Sequence, residues 1–159
     1  MPRSGDLAQL EKLINLKKLD LGGTKVDGEL GGLAPLTRLE FLALNGCSGV
    51  MGDIGGVAPL IKLVTLDLGG EKNKVEGDVC RLAPLTNLTK LHLGSCKEVG
   101  GDIAGMKELV LLKELQLAGT KVFGNVSGIA SLTNLVILNL NGVYSPDQRN
   151  EVTGDVSGQ

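Results

Sequence analysis

Apolar and polar residues alternate along this chain in short segments that recur about every 24 residues. The first segment has the form Leu-x-x-Leu-x-Leu, and its central leucine falls at 19, 42, 66, 91, 115 and 138. Successive copies therefore lie 23, 24, 25, 24 and 23 residues apart. Alternation with a period of two is typical of a half-buried β-strand, and a constant spacing in this range indicates a stacked repeat protein. Each copy is called a coil below.

A second alternating segment follows the first in every coil, after a turn rich in glycine and asparagine. It has the form Val-x-Gly-Asp-Ile or a close variant, at 26–30, 50–54, 75–79, 99–103, 122–126 and 152–156. Most coils then close through a segment such as Leu-Ala-Pro-Leu, and proline is well suited to the first position of a helix. We therefore expect one turn of 3₁₀ or α-helix at each of Pro35, Pro59 and Pro84, on the side opposite the first strand.

A single coil leaves its apolar flanks in water, so each coil needs a neighbour on both sides. The two segments together resemble the leucine-rich repeat, and the second is similar to the Leu-x-Gly-x-Ile half of its plant-type class. The resemblance covers about residues 5–156 and implies an α/β repeat solenoid. The implied shape is a curved horseshoe segment with a concave parallel β-sheet and short 3₁₀ or α turns on the convex side.

The chain departs from the family pattern in two ways. Where the family has an asparagine after the first strand, this chain often has Thr24, Cys47, Cys96 or Thr120. The cysteine-rich end caps of many extracellular members are also absent.

The 159 residues predict one domain with six repeats over about 16–156. Leucine and isoleucine spacing over 7–14 predicts a short amphipathic helix that caps the first coil. The last coil carries an insertion at 143–149, and no apolar cap follows it. We therefore expect a fragment of a longer protein; alternatively, the insertion folds over the open end.

Composition narrows the class of function. The net charge is −2 with charges of both signs interspersed, so we expect no nucleic-acid partner and no membrane association. Three cysteines in a chain without a secretory signal favour a cytoplasmic location. An extracellular location stays open, because two N-glycosylation sequons begin at Asn87 and Asn125.

Candidate chemistry is sparse. The one histidine, His92, has Lys90 on its own strand, and its expected neighbours across the sheet are Asp67 and Gln116. This column of residues contains no serine or cysteine nucleophile. We therefore predict no catalytic residue and no enzyme. An acidic residue recurs before the end of the second segments, with Asn125 as the exception, and suggests either calcium ligands or turn caps, with caps favoured. Cys47 and Cys96 fall two coils apart, roughly 10 Å, too far for a disulfide. We predict that they are small buried side chains whose thiols face backbone groups. We predict no metal and no cofactor.

The outward side chains of the concave strands are the predicted binding site for a protein partner of unknown identity. The accessible aromatic Phe41 and the exposed Ile137 are not needed on a purely solvated face. The predicted site residues are Lys18, Asp20, Phe41, Thr65, Asp67, Lys90, His92, Glu114, Gln116, Ile137 and Asn139, with Tyr144 in the insertion.

The predicted function is thus a protein–protein interaction module. Two alternatives stay open: a regulatory or scaffold segment of a larger multidomain protein such as a kinase or GTPase, and an extracellular recognition module. The oligomeric state is left undetermined.

Overall fold

The computed structural model describes residues 5–142 and the backbone of residues 152–153. Tyr144 and most of the final repeat therefore lie outside the described residues. Twelve strands follow one another within the described ranges: β1 Lys18–Asp20, β2 Asp27–Glu29, β3 Phe41–Ala43, β4 Gly49–Asp53, β5 Thr65–Asp67, β6 Lys74–Asp78, β7 Lys90–His92, β8 Glu98–Asp102, β9 Glu114–Gln116, β10 Lys121–Asn125, β11 Ile137–Asn139 and β12 Val152–Thr153.

The strands form two parallel six-stranded sheets, one from each segment of the repeat. The odd-numbered strands pair in chain order with no stagger, so Leu19 lies beside Leu42 and Leu42 beside Leu66. The even-numbered strands also pair in chain order, but each is offset by two repeat positions, as when Gly52 pairs with Val75. The predicted concave parallel sheet is confirmed as the first of these, and the solenoid fold with it.

The leucine positions of successive coils form one continuous core. Central strand leucines from Leu42 to Leu115 have no exposed surface, and buried valines and isoleucines of the second sheet pack against them. Phe41 and Phe123, the two described aromatic residues, are both half-buried and outside this core. Because every coil buries its apolar side chains between its neighbours, stability comes from contacts between coils.

The short helices begin earlier in each coil than the sequence predicted. Among the described residues, six 3₁₀ helices start directly after Asp6 or after a second strand, and not at the prolines: Leu7–Leu10, Leu30–Leu33, Ile54–Val57, Val79–Leu82, Ile103–Met106 and Val126–Ile129. Pro35 follows its helix, in a turn that continues the chain toward the next strand. The expectation at Pro35, Pro59 and Pro84 was therefore wrong in position. The reason is that a side-chain cap, and not proline, precedes five of these six helices.

The recurring acidic column supplies these caps. Asp53 Oδ1 accepts a hydrogen bond from the Gly55 N–H at 2.6 Å, and Asp102 Oδ1 accepts from the Ala104 N–H at 2.9 Å. Asp6, Asp78 and Asn125 cap in the same way, whereas Glu29 makes no such bond. Over the part of the chain that the structure describes, no three histidine, cysteine or acidic side chains converge as a metal site would require. The cap interpretation therefore explains the column.

The glycines before the caps Asp78, Asp102 and Asn125 are required by the coil that precedes each of them. Gly77 has a φ of +110°, a conformation that costs a residue with a side chain. A Cβ on Gly77 would also lie 2.9 Å from the Asp53 carboxylate of the previous coil. The Gly-Asp pair thus joins two neighbouring coils, because the glycine of one makes room for the cap of the other.

Buried hydroxyl, thiol and amide groups satisfy backbone carbonyls after the first strands. The Cys47 thiol donates to Leu21 O and the Cys96 thiol to Leu68 O, both at 3.1 Å. Burial raises the pKa of Cys96 to about 12, which keeps it a thiol. The predicted role of these cysteines as buried donors agrees with the geometry. Asn73, which the sequence reasoning did not single out, occupies this column in the longest repeat and donates to both Leu44 O and Leu68 O.

The N-terminal segment differs from the predicted helix over 7–14. Only Leu7–Leu10 is helical, and it repeats the 3₁₀ geometry of the later coils. Its N-cap Asp6 pairs with Asp27 through a parallel bridge, so the segment is the end of an incomplete coil. Leu13 and Ile14 are 49% and 55% exposed and cover no core.

Replacing Gly77 with alanine should destabilise the fold by at least about 1–2 kcal/mol, because the left-handed backbone excludes a side chain and the Asp53 cap is displaced. The measurement is the urea unfolding midpoint. Gly31→Ala is the matched control: its Cβ would meet open space, and Ala104 occupies the same repeat position. It should change stability by less than about 0.5 kcal/mol. Equal losses in the two variants would contradict this account of the glycine column.

Candidate functional site

The register of the first sheet arranges the predicted site residues in two columns on either side of the central leucines. The first column is Lys18, Phe41, Thr65, Lys90, Glu114 and Ile137, and the second is Asp20, Ala43, Asp67, His92, Gln116 and Asn139. Of these, Ala43 is the one buried side chain, at 5% exposure, and the eleven predicted residues are all exposed or half-buried. The arrangement follows from strands stacked without stagger, which place equivalent residues side by side.

A charged cluster occupies the middle of the concave face. The Lys90 ammonium lies 2.9 Å from Glu114 Oε1, and His92 Nε2 lies 3.3 Å from Glu114 Oε2. His92 Nδ1 lies 3.8 Å from Asp67 Oδ2, so the imidazole stands between carboxylates of the two neighbouring coils. The sequence placed Asp67 beside His92 and included Glu114 in the predicted site, but the contact between His92 and Glu114, which runs diagonally across the sheet, was missed. The signal was available, since Lys90 and Glu114 are opposite charges at directly paired positions.

The hydrogen bond from Lys90 holds the pKa of Glu114 below its ordinary value, and His92 adds to this while partial burial opposes it. The charges of Lys90 and Glu114 therefore largely neutralise each other within the cluster. The contacts of His92 are to two carboxylates and no hydroxyl or thiol nucleophile, which is not the arrangement of an acyl-transfer site.

Apolar and cationic groups lie at the N-terminal end of the same face. The Lys18 ammonium sits 4.7 Å from the centroid of the Phe41 ring, in cation–π contact. Next to the first column, Lys17 pairs with Glu40 at 3.3 Å. At the opposite end, Ile137 is 42% exposed on β11, the last strand described in this sheet.

Three residues of the second column also accept a hydrogen bond from a backbone N–H of the turn that follows them. Asp67 Oδ1 accepts from the Gly69 N–H at 3.0 Å, and Asn139 Oδ1 accepts from the Asn141 N–H at 3.1 Å. Asp20 makes the same contact to the Gly22 N–H at 3.4 Å. These side chains therefore have a structural role in addition to any partner contact, and their orientation is set before a partner arrives.

Known structures resemble this arrangement, although no family model and no curated protein matches the sequence. The leucine-rich-repeat ectodomain of the plant membrane receptor kinase GASSHO1/SCHENGEN3 from Arabidopsis thaliana, solved with CASPARIAN STRIP INTEGRITY FACTOR 2, matches 87% of this chain with a TM-score of 0.74 and 27% identity. The chain is a leucine-rich-repeat solenoid. It spans only 17% of that ectodomain.

Two further matches show how widely this fold occurs. One is the ectodomain of the Arabidopsis receptor kinase HAESA, solved with an IDA peptide hormone ligand, with a TM-score of 0.71 at 23% identity. The match covers 87% of this chain and 24% of the HAESA ectodomain. An internalin of Listeria monocytogenes covers 98% with a TM-score of 0.65 at 22% identity, and the chain spans 52% of it. Receptor ectodomains give no support to the predicted cytoplasmic location. Within the described ranges, no helical stretch has the length and apolarity of a membrane span.

Removing the Lys90 ammonium should raise the pKa of Glu114, because that ammonium is the main group stabilising its carboxylate. In the unchanged protein the depressed pKa stabilises the fold above the ordinary glutamate pKa near 4.5 and ceases to do so as the pH falls through the lowered value. The measurement is a carboxyl-carbon NMR titration of Glu114 in the Lys90→Ala variant. Lys18→Ala, a cation of the same column three strands away, is the control and should leave the titration midpoint unmoved. A midpoint unaffected by Lys90→Ala would contradict the cluster.

Proposed function

We propose that this chain is a protein- or peptide-binding module whose concave sheet contacts the partner. The observation that supports this most directly is a contrast between the two sides of the same strands. The inward position is leucine in all six coils, whereas the first outward column changes from lysine to phenylalanine, threonine, lysine, glutamate and isoleucine. A surface with varied charge, size and polarity at regular spacing is suited to recognising one particular partner.

The compared structures support the same class of function. GASSHO1/SCHENGEN3 and HAESA were each solved as a complex, the second with a peptide hormone ligand. Both are much longer than this chain, so their ligands indicate a class of partner and do not identify one.

Phe41 and Lys90 are the residues that best test the concave face. Phe41 is an accessible aromatic side chain outside the core, and Lys90 is 47% exposed at the centre of the sheet. Neither caps a turn, unlike Asp67 and Asn139. Accessible aromatic residues and centrally placed charged residues are frequent anchors of protein interfaces.

The double variant Phe41→Ala/Lys90→Ala should lose the partner. The chain is used as bait in extract from its source, and the retained protein is then purified and titrated calorimetrically. We expect the two changes together to weaken binding at least about tenfold, since each removes an accessible side chain of the kind that dominates interfaces.

Ile61→Ala/Lys62→Ala is the matched control, because it also removes one apolar and one lysine side chain. Both residues are exposed in the turn before β5, outside the two columns. It should bind like the unchanged chain. If the partner still binds the Phe41→Ala/Lys90→Ala variant but no longer binds this control variant, the binding surface lies outside the concave sheet.

An extracellular recognition module is the second candidate, favoured by the match to receptor-kinase ectodomains. Both sequon asparagines, Asn87 and Asn125, are exposed. Mass spectrometry of the protein from its source should then find a glycan on at least one of them. Unmodified asparagines at both positions would count against this candidate.

A further inference from the structure

The second column contains a gap at Ala43, where the row of longer side chains is interrupted. Ala43 stands between Asp20 and Asp67 in direct register, and it is the one residue of the column with no side chain beyond Cβ. Asp20 is exposed and the Asp67 side chain is 27% exposed. The strand spacing places these two aspartates roughly 10 Å apart across the gap. The floor of the gap is the buried methyl group of Ala43, at 5% exposure.

The two carboxylates bordering the gap are oriented in the same way. In each, Oδ1 faces the N–H group of the glycine two residues on, at 3.4 Å for Asp20 and 3.0 Å for Asp67. The turn contact uses Oδ1 of each side chain. The ion pair that Asp67 Oδ2 makes within the described residues is with His92 Nδ1, at 3.8 Å, and Asp20 makes none there. Carboxylates held by the turn lose little freedom when they bind.

The other charges of the face do not neutralise this pair. Lys17 is matched by Glu40 and Lys90 by Glu114, while the Lys18 ammonium lies over the Phe41 ring. The second column itself contains no lysine or arginine. The concave face is therefore divided: Lys17 and Lys90 pair with carboxylates in or beside the first column, whereas no lysine or arginine of the described residues pairs with Asp20 or Asp67 in the second.

We propose that the gap at Ala43 receives a basic side chain of the protein partner, with arginine fitting best. This inference rests on the proposed binding function and specifies its chemistry. A guanidinium is planar and has donors on several edges, so it can bond a carboxylate on each side, and its flat face suits a methyl floor. A lysine ammonium meets the charge requirement but cannot span the two carboxylates in one plane.

The test uses short probes and needs no identified partner. Acetyl-Gly-Arg-Gly-amide is titrated into the ¹⁵N-labelled chain. We expect amide shifts at Ala43 and its neighbours Asp20 and Asp67. The same peptide with citrulline, which has the shape of arginine without its charge, should shift them far less.

Asp67→Asn is the decisive variant, because it removes the charge and retains the turn. Asn139 already makes the equivalent turn contact through Oδ1 elsewhere in the column. The variant should weaken the arginine probe about two- to fivefold, the effect of losing one accessible ion pair. Asp27→Asn, in the second sheet, is the control and should leave the titration unchanged.

Several outcomes would overturn the proposal. Equal shifts with arginine and citrulline, or an unchanged affinity in Asp67→Asn, would show that the carboxylates do not recognise the charge. Shifts at Ala43 with a glutamate or phenylalanine probe in place of the arginine probe would assign the gap to an acidic or apolar partner. If the arginine probe fails while Phe41→Ala/Lys90→Ala still abolishes partner binding, the proposed function stands and this inference alone is wrong.

Discussion

Burial of one coil's leucines against the next is the interaction on which every other feature of this structure depends. A coil of about 24 residues has too little interior to exclude water by itself, so its apolar side chains are dry only when both flanks are covered. The parallel hydrogen bonds between strands follow from the same stacking. The first sheet consequently advances by one strand spacing per coil with no stagger, and its outer face becomes a regular grid of side chains.

The connections between coils are as specific as the core. Most of the described second strands end in a carboxylate or amide that caps a 3₁₀ helix, and the glycine of the following coil, such as Gly77, leaves room for that group. Buried thiols and hydroxyls donate to carbonyls where the family has asparagine, and a side-chain amide does so in the longest repeat. These polar contacts satisfy backbone groups that the tight turns would otherwise bury without partners. They keep adjacent coils at a constant separation, which a regular binding surface requires.

On this regular outer face, ion pairs between neighbouring strands determine which charged side chains are free to bind a partner. Lys90, His92 and Glu114 interact with one another, so part of the charge at the centre of the face is already neutralised. Asp20 and Asp67 lie on either side of a small residue, and their turn contacts orient them without neutralising them. The same strand register that stacks the leucines therefore creates both a neutralised cluster and an acidic gap. Neither depends on a deep pocket, since a concave sheet offers a broad surface.

The repeat, the parallel sheet, the inward leucines and the membership of the outward columns could all be predicted from the sequence, because a period near 24 with strict alternation inside it places equivalent residues on the same face of neighbouring coils. The turn caps and the buried cysteines were predicted in the same way. The helix starts could not be predicted, because a proline such as Pro35 and an aspartate such as Asp53 are both typical of a helix start, and the hydrogen-bond geometry selects the aspartate. The contact of His92 with Glu114 and the placement of Asp20 and Asp67 on either side of Ala43 without a lysine or arginine partner also required the folded structure, since side-chain direction between neighbouring coils is set by packing that no single coil contains.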